Sequence, residues 1–237
     1  MTGTDTGIGK TIVTAALALC LQHRGVKVGV MKPVETGIGA DLAIPSDAER
    51  LKAGIDCADP LDLISPYRLP APLAPLAAAR QAGVVIDVER IMAAFLALTA
   101  RHEFLLVEGV GGVMAPIADR FDVRDLISRL GLPALIVGRA TLGGVNHALL
   151  TVEALRQRDI AIAGIVLNRS AARPAPLQEQ QQQEATVSLL KELSGVLVLG
   201  PLPHQGGLLE DWEGGLARLA IEPVIQELAR LVKPSAP

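Results

Sequence analysis

The stretch that decides the fold is GTDTGIGKT, which runs from Gly3 to Thr11 and leads directly into an apolar, helix-forming segment. In a glycine-rich loop at the start of a helix, successive backbone N–H groups point into one concave site that binds anions. Lys10 adds a positive charge there, and the Thr11 hydroxyl suits magnesium. Five residues separate Gly3 from Gly9, one more than in the standard phosphate loop, so the motif is a variant. The predicted phosphate-binding residues are Gly7, Ile8, Gly9, Lys10 and Thr11.

Downstream of this loop, short apolar runs alternate with helical segments. The apolar runs are continuous rather than alternating, which is typical of strands buried on both faces. Repetition of strand, helix and strand predicts an α/β fold, a parallel β-sheet flanked by helices on both faces. The predicted strands cover residues 26–31, 104–107, 133–137, 160–167 and 196–199, and the predicted helices cover residues 11–24, 87–101, 123–130, 146–158 and 184–193.

Two places depart from this pattern. A phosphate loop normally follows a buried strand, but only Met1 and Thr2 precede Gly3. We therefore expect that strand to be missing, with a gap beside the strand that ends at Lys32; either the true start lies upstream or the sheet tolerates the loss. Five prolines within residues 60–75 predict a long surface excursion without regular helix or central strand.

Composition narrows the classes of function. The 237 residues are expected to form one domain, and with a formal charge of −3 they give no overall reason to bind nucleic acid or an anionic membrane. Aromatic residues make up only 2%, which also argues against stacking on bases. Cys20 and Cys57 lack CxxC spacing, which fits a reducing cytoplasm. The apolar run 12–21 mimics a signal peptide imperfectly, because Asp5 precedes it and no small cleavage-site residues follow. A cytoplasmic protein is predicted.

Charged side chains follow two of the predicted strands. Lys32, in KPVETG, ends one strand and is expected to face the same ligand as Lys10, since ligands of open parallel sheets lie beyond the carboxyl ends of the strands. Glu108, in EGVGG, ends another strand and is a predicted magnesium ligand. The segment PSDAE has two interpretations: Ser46 caps a helix with acids in its first turn, or Asp47 is a further magnesium ligand.

Two amide side chains complete the candidates. Asn146 opens the predicted helix 146–158, where asparagine most commonly caps the helix, although Gly143 and Gly144 leave backbone N–H groups accessible to a carboxylate. Asn168 ends a predicted strand on the side where nucleotides bind, and its amide can both donate to and accept from an adenine edge.

In this order and spacing, seven motifs resemble the dethiobiotin synthetase family: GTDTGIGKT, KPVETG, PSDA, SPYRLPAPLAP, EGVGG, GVNHALLT and GIVLN. The resemblance implies a homodimer with a P-loop NTPase-like three-layer sandwich. It also implies a reaction that takes 7,8-diaminopelargonic acid, CO2 and ATP with Mg2+ to dethiobiotin, ADP and phosphate in biotin biosynthesis. A substrate amine first captures CO2 as a carbamate, a carbamate oxygen takes the γ-phosphoryl group, and the second amine closes the cyclic urea.

The resemblance further implies a role for each candidate residue. Gly7 to Thr11 would wrap the phosphates, Lys10 would bridge toward the γ-phosphate, and Lys32 would face the carbamate, so the two lysines are the implied catalytic residues. The implied magnesium ligands are Thr11, Asp47 and Glu108. Asn168 would contact adenine, Thr36 would lie beside the substrate, and the carboxylate of the substrate in the neighbouring subunit would be held by Gly143, Gly144, Val145 and Asn146.

The alternative is a partitioning-type P-loop ATPase, a switch that binds its partners through a nucleotide-dependent dimer. Such proteins resemble this loop but carry a lysine where Asp5 stands. Asp5 and the KPVETG segment therefore favour the synthetase interpretation.

Overall fold

The computed structural model describes residues 1–39, 44–169, 177–208 and 210–232. Its helices and strands follow one another in the order β1 (Thr2–Gly3), α1 (Lys10–His23), β2 (Val28–Met31), β3 (Val34–Thr36), α2 (Asp47–Gly54), α3 (Leu61–Ile64), β4 (Tyr67–Leu69), α4 (Pro75–Gln81), α5 (Val88–Thr99), β5 (Phe104–Val107), β6 (Pro116–Ala118), β7 (Phe121–Asp122), α6 (Val123–Leu130), β8 (Ala134–Arg139), α7 (Gly144–Arg156), β9 (Ile162–Asn168), α8 (Gln178–Leu193), β10 (Val198–Leu202), α9 (Trp212–Ala220) and α10 (Pro223–Leu231). Among these described residues, no helix combines the length and apolarity needed to cross a membrane.

The central sheet is parallel. Four strands pair in the order β1-β8-β9-β10, and β2 pairs with β5. Met1 joins the two groups, because its amino group donates to the Val107 carbonyl (2.6 Å) and its own carbonyl accepts from the Gly109 N–H (2.8 Å). Across the molecule the order is therefore β2, β5, β1, β8, β9 and β10.

This order corrects two expectations. The strand before the loop is not wholly missing, since Thr2 and Gly3 form a two-residue strand that pairs with Ile136 and Val137. The gap also does not lie beside β2. The chain passes from β1 through α1 to β2 but leaves one strand position between them, and β5 occupies that position. The open space lies instead between β5 and β8.

Helices cover both faces of the sheet. On one face α1 packs against α2, α9 and α10, and its Leu17 and Leu21 are fully buried. The other face is covered by α4, α5 and α6 near β5 and by α7 and α8 near β9. Successive residues of β5 point to opposite faces, so Leu106 joins the α1 side of the core and Val107 the α5 side. The predicted three-layer arrangement is thus observed.

The proline-rich segment is more regular than predicted. It contains the short helix α3 and strand β4, which pairs in parallel with β3 and buries Tyr67 and Leu69. Pro60 lies at the N-cap of α3 and Pro75 begins α4, positions where no backbone N–H is needed. These two prolines therefore lie at the starts of short helices, and the segment keeps regular structure between them.

Candidate functional site

The loop between β1 and α1 has the backbone shape of an anion cradle. Gly7 (φ 72°) and Gly9 (φ 90°) are in the left-handed region, which side chains disfavour. A Cβ at Gly9 would also lie 2.0 Å from Nδ2 of Asn168, the group that donates a hydrogen bond to the Ile8 carbonyl (3.0 Å). Because α1 has no side-chain cap, the N–H groups of its first turn are left for a ligand.

Lys10 is held inside this cradle. The residue is only 6% exposed, and its Nζ donates to the Asp5 carbonyl (2.8 Å). Burial, with a further contribution from the nearby Lys32 charge, lowers the pKa of Lys10 to about 8. An anion bound in the cradle would stabilise the protonated form of Lys10 and offset its repulsion from Lys32, so the electrostatics of the site favour an anionic ligand.

Lys32 is the most tightly paired cation of the site. It is 3% exposed, and its Nζ lies 2.5 Å from Oε1 of Glu108 and 3.0 Å from Oδ2 of Asp47. Burial alone would lower the pKa of Lys32, but the two carboxylates outweigh burial and raise it. The Lys32 ammonium therefore stays protonated and fixed in position.

The predicted magnesium ligands converge. Glu108 is 0% exposed, and its Oε1 accepts from the Thr11 hydroxyl (2.9 Å). Burial would raise the pKa of Asp47, but Lys32 and Thr11 lower it overall, so the carboxylate is ionised. Within the described part of the chain, Oε2 of Glu108 is buried and has no hydrogen-bond partner. Hydroxyl and carboxylate oxygens with one free, buried acceptor fit the donor set that Mg2+ prefers.

One small cavity of about 240 Å³ brings these groups together; among the predicted residues, its walls include Gly7, Gly9, Lys10, Thr11, Lys32, Thr36, Asp47 and Glu108. Beside it lies a second cavity of about 460 Å³, which shares Thr36 and Asp47 with the first. The fold thus places two adjoining spaces beyond the ends of β2 and β5, where the sequence predicted a ligand.

Both interpretations of the PSDAE segment have structural support. Ser46 caps α2 and forms a capping box with Glu49, as the structural interpretation predicts. Asp47, the next residue, nevertheless lines the cavity and pairs with Lys32. The segment therefore both begins α2 and places the Asp47 carboxylate in the cavity wall. Metal binding by Asp47 stays a prediction.

Sequence reasoning missed Glu35 and Arg50, which line both cavities. Glu35 is buried, and its carboxylate accepts from the backbone N–H groups of Asp47 and Ala48 at the start of α2. Burial and the Asp47 charge raise the pKa of Glu35. The signal was available: Glu35 lies inside KPVETG, and Arg50 follows Asp47 by three residues, one helical turn along the same face.

Residues 143–146 do not belong to either cavity wall. They begin α7, and the expectation that Asn146 caps this helix is wrong. Gly143, in the left-handed region with φ 83°, is the N-cap, and Asn146 is an exposed residue of the first turn. Asn168 is likewise outside both walls: it braces the loop and lines a third cavity, of about 330 Å³, with Ile12 and His204.

Three relatives of this chain by sequence carry the same name, and one family model matches most of the chain. The AAA_26 family model, described as an AAA domain, matches residues 1–210. The ATP-dependent dethiobiotin synthetase of Thermodesulfovibrio yellowstonii is 42% identical over 226 residues, covering 92% of this chain and 92% of that protein. The same enzyme from Methanocaldococcus jannaschii is 40% identical over 90% of this chain and 97% of its own length. The one from Anaeromyxobacter sp. strain K is 48% identical over 74% and 78%.

Solved structures similar to this one support the fold. The MinC:MinD cell division protein complex of Aquifex aeolicus aligns with a TM-score of 0.60 at 19% identity, covering 100% of this chain and 96% of that one. Apo McdA from Cyanothece aligns with a TM-score of 0.56 at 14% identity, covering 98% and 97%. At such identities the likeness concerns the fold alone, and it confirms the predicted α/β architecture. From the sequence relatives, the chain belongs to the ATP-dependent dethiobiotin synthetase family, and it has the fold of the P-loop NTPases.

Proposed function

We propose that this chain forms dethiobiotin from 7,8-diaminopelargonic acid, CO2 and ATP, with release of ADP and phosphate. The observation that carries the proposal is the Lys32 ammonium, which is fixed between Glu108 and Asp47 in the wall of the cavity that the phosphate loop lines. Lys10 faces the same cavity. Two cations beside one small space suit a reaction in which two anions, a carbamate and a triphosphate, must approach within bonding distance.

The proposed reaction has three steps. One substrate amine attacks CO2 and loses a proton, which gives a carbamate. A carbamate oxygen then attacks the γ-phosphorus as the bond to ADP breaks, and the product is a mixed carbamic–phosphoric anhydride. The second amine attacks the carbonyl carbon, expels inorganic phosphate and loses a proton, which closes the cyclic urea. Lys10 and the N–H groups of the loop hold the phosphates, and Lys32 orients the carbamate.

Thr11, Asp47 and Glu108 would hold Mg2+, and the unpartnered Oε2 of Glu108 supports this assignment. Bound there, the ion would neutralise charge that develops on the transferred phosphoryl group. Glu108 and Asp47 also form salt bridges with Lys32, so binding of the ion and the position of Lys32 depend on the same two side chains.

The substrate would lie beside Thr36, in the larger of the two adjoining cavities, and Asn168 would contact adenine. Gly143 to Asn146 would hold the substrate carboxylate across a homodimer interface. They contribute to neither cavity of their own chain, which is compatible with a role in the site of the partner. Leu142 is 84% exposed and Leu150 is 61% exposed, so the start of α7 offers apolar surface for such an interface. One domain over residues 1–237 and a cytoplasmic location complete the proposal.

The test is ADP release measured with and without diaminopelargonic acid and bicarbonate. We expect release that depends on both, with one dethiobiotin formed per ADP. Hydrolysis that is equally fast without them would instead favour a partitioning-type ATPase. Against that alternative, Asp5 stands where those proteins carry a lysine, and its carboxylate pairs with Arg139 (2.6 Å).

A further inference from the structure

Three side chains with different ligand atoms meet at the end of the sheet opposite the candidate site. Cys57 and Asp59 lie between α2 and α3, and His102 lies two residues before β5. The sulfur of Cys57, a carboxylate oxygen of Asp59 and a ring nitrogen of His102 all lie within 4.8 Å of one another. Lys32 and Glu108 follow the carboxyl ends of β2 and β5, whereas His102 precedes β5. This cluster is therefore separate from the candidate site, and none of its three residues lines either cavity there.

The carboxylate of Asp59 is the centre of the cluster. Its Oδ2 contacts both Nε2 of His102 (2.5 Å) and Sγ of Cys57 (3.4 Å). Its Oδ1 accepts a hydrogen bond from Nη1 of Arg101 (2.8 Å). Asp59 is 6% exposed and Cys57 is 9% exposed. The two oxygens of this buried carboxylate thus have separate partners, and Oδ2 is the one that faces the thiol and the imidazole.

Groups outside the cluster hold its backbone and the imidazole ring in place. Nζ of Lys52 donates to the carbonyls of Cys57 (2.7 Å) and Asp59 (2.5 Å), and the Cys57 N–H donates to the Lys52 carbonyl (2.9 Å). The His102 ring packs on β2 at Gly29, where an added Cβ would lie 2.4 Å from the ring. Among the described residues, Nδ1 of His102 has no hydrogen-bond partner, so the ring makes its polar contact in the cluster through Nε2.

This combination of atoms suits Zn2+ better than Mg2+. Thiolate sulfur and imidazole nitrogen are ligands of zinc, whereas Mg2+ prefers oxygen. Around a tetrahedral zinc ion, neighbouring ligand atoms are about 3.4–3.6 Å apart. The distance of 3.4 Å between Sγ of Cys57 and Oδ2 of Asp59 already matches this spacing. The contact between Oδ2 and Nε2 of His102 must open by about 1 Å, which requires only a small rotation of the His102 side chain.

The charges of the cluster also suit a divalent ion. Zinc binds the thiolate, so the Cys57 thiol would release its proton to solvent when the ion binds. The thiolate and the Asp59 carboxylate together would offset the two positive charges of the ion. Arg101 can keep its bond to Oδ1 and orient the carboxylate, as groups behind metal ligands commonly do. Lys52 bonds backbone carbonyls, which are not ligand atoms here.

We propose that Cys57, Asp59 and His102 form a zinc site, in which the ion is bound by Sγ, Oδ2 and Nε2 and by one water molecule in the fourth position. The His102 side chain is 12% exposed, which leaves a path for the ion and the water. The ion would join the loop after α2 to the segment before β5, since Asp59 and His102 are 43 residues apart in the chain. It would thereby stabilise the amino-terminal edge of the sheet.

The first experiment uses Co2+ as a spectroscopic probe, because a bond between Co2+ and a thiolate gives a near-ultraviolet charge-transfer absorption. Mg2+ is present in excess, and the proposed magnesium ligands include no sulfur. We expect one equivalent of Co2+ to produce the absorption and one equivalent of Zn2+ to remove it. The chain has two cysteines, so Cys57→Ser should abolish the absorption and Cys20→Ala should keep it. No absorption in the natural chain, or absorption that survives Cys57→Ser, would overturn the proposal.

Thermal unfolding distinguishes a zinc site from a cluster that is only hydrogen-bonded. At about a hundredfold excess over its Kd, Zn2+ should raise the Tm of the natural chain by roughly 5 °C or more. His102→Gln keeps a side-chain donor for Asp59 but removes the imidazole, so its Tm should not respond to Zn2+. The matched control is His23→Gln, at an exposed position, which should gain as much as the natural chain. An equal gain in His102→Gln, or no gain in the natural chain, would mean that the cluster binds no zinc.

Discussion

Two cavities meet at the end of β5, and they are built in opposite ways. The smaller, of about 240 Å³, is lined by the buried charges of Lys10, Lys32 and Glu108. The larger, of about 540 Å³, is lined mainly by aliphatic side chains. Val107 and Gly109 border the apolar cavity, whereas Glu108 between them faces the polar one. The volume of the apolar cavity shows only that this part of the fold is not filled by atoms. The buried and mutually paired charges of the polar cavity indicate a catalytic site.

The difference also concerns how each region responds to change. In the polar cavity, Lys32 pairs with Glu108 and Asp47, so removal of Lys32 leaves a buried carboxylate uncompensated. Lys10 is different, because its ammonium donates to a backbone carbonyl and burial lowers its pKa. In the apolar cavity, side chains lack neighbours on one side, so added atoms stabilise and polar atoms without partners destabilise. Loss of Lys32 and added apolar atoms in the apolar cavity should therefore change the free energy of unfolding in opposite directions.

The largest effect is expected from Lys32→Ala. We expect kcat/KM to fall by about 10³-fold or more, because charge on the carbamate and phosphates loses its fixed partner. The free energy of unfolding should fall by about 3–5 kcal/mol, because Glu108 is left as an unpaired buried carboxylate. The affinity for ATP, measured by calorimetry, should change little compared with that of Lys10→Ala.

A second substitution separates the two losses. Adding Glu108→Gln to Lys32→Ala should recover much of the stability in urea denaturation without recovering activity, because the uncompensated charge is gone. If Lys32→Ala and Lys10→Ala weaken ATP binding equally, the division of roles between the two lysines is wrong.

Lys10→Met should abolish turnover and yet stabilise the chain without nucleotide or magnesium. The folded pKa of about 8 lies below the ordinary 10.5, so the folded state disfavours the charged form of Lys10. At pH 7 this penalty is fully present, and removing it should add on the order of 2–3 kcal/mol. Between pH 8 and 10.5 the unfolded chain binds more protons, so the natural chain gains stability and the advantage of the variant shrinks. Urea denaturation at pH 7 and pH 10 measures this difference in the free energy of unfolding between the variant and the natural chain.

The matched control is Lys27→Met, at an exposed position. We expect a change within about 0.5 kcal/mol, as for other surface substitutions. A stability of Lys10→Met that is equal to or below that of the natural chain at pH 7 would mean that the buried ammonium carries no penalty.

The charged site was largely predictable, and the strand order was not. Lys10, Lys32 and Glu108 each follow a glycine-rich loop or an apolar run, and parallel strands bring such positions to one edge of the sheet. Whether β2 or β5 lies next to β1 depends on which crossover the helices adopt, and local sequence carries no record of it. The cavity between β5 and β8 was therefore foreseen as a gap but assigned to the wrong place.

The start of α7 illustrates a second limit. Asn146 has the residue type of an N-cap, but the cap is Gly143, whose left-handed backbone turns the chain into the helix. Side-chain preference identified the region but placed the N-cap three residues too late, since a backbone angle set by the preceding loop decides where the helix begins. For Glu35, the motif KPVETG identified the region, but its contacts with the Asp47 and Ala48 amides depend on how α2 packs beside β3.

Whether the polar cavity is complete within one chain can be tested by mixing two inactive variants. Under the proposed function, Lys10→Ala would disable the loop of its own chain, and Asn146→Asp would set a negative charge against the substrate carboxylate of the partner. In a symmetric dimer, a mixed pair carries both defects at one site and neither at the other. About half of randomly exchanged dimers are mixed, so roughly a quarter of all sites should recover activity.

The control mixes Lys10→Ala with Lys32→Ala. Both changes affect the cavity of their own chain, so every site in a mixed dimer keeps one defect and no activity should return. Absence of recovery in the first mixture, with subunit exchange demonstrated by mass spectrometry, would mean that Asn146 takes no part in a shared site.

The smallest effect compares two buried threonines, one in each region. Thr14, on α1 below the polar cavity, donates its hydroxyl hydrogen to the Lys10 carbonyl (2.8 Å), whereas the Thr2 hydroxyl beside the apolar cavity has no partner among the described residues. Valine has nearly the same shape as threonine, so the exchange mainly removes the hydroxyl. We expect Thr14→Val to destabilise by about 1 kcal/mol and Thr2→Val to stabilise by about the same amount. For a chain of this size each change corresponds to a Tm shift of roughly 2–4 °C, in opposite directions. Destabilisation by Thr2→Val would mean that a water molecule satisfies its hydroxyl, and the apolar cavity would then be hydrated at that end.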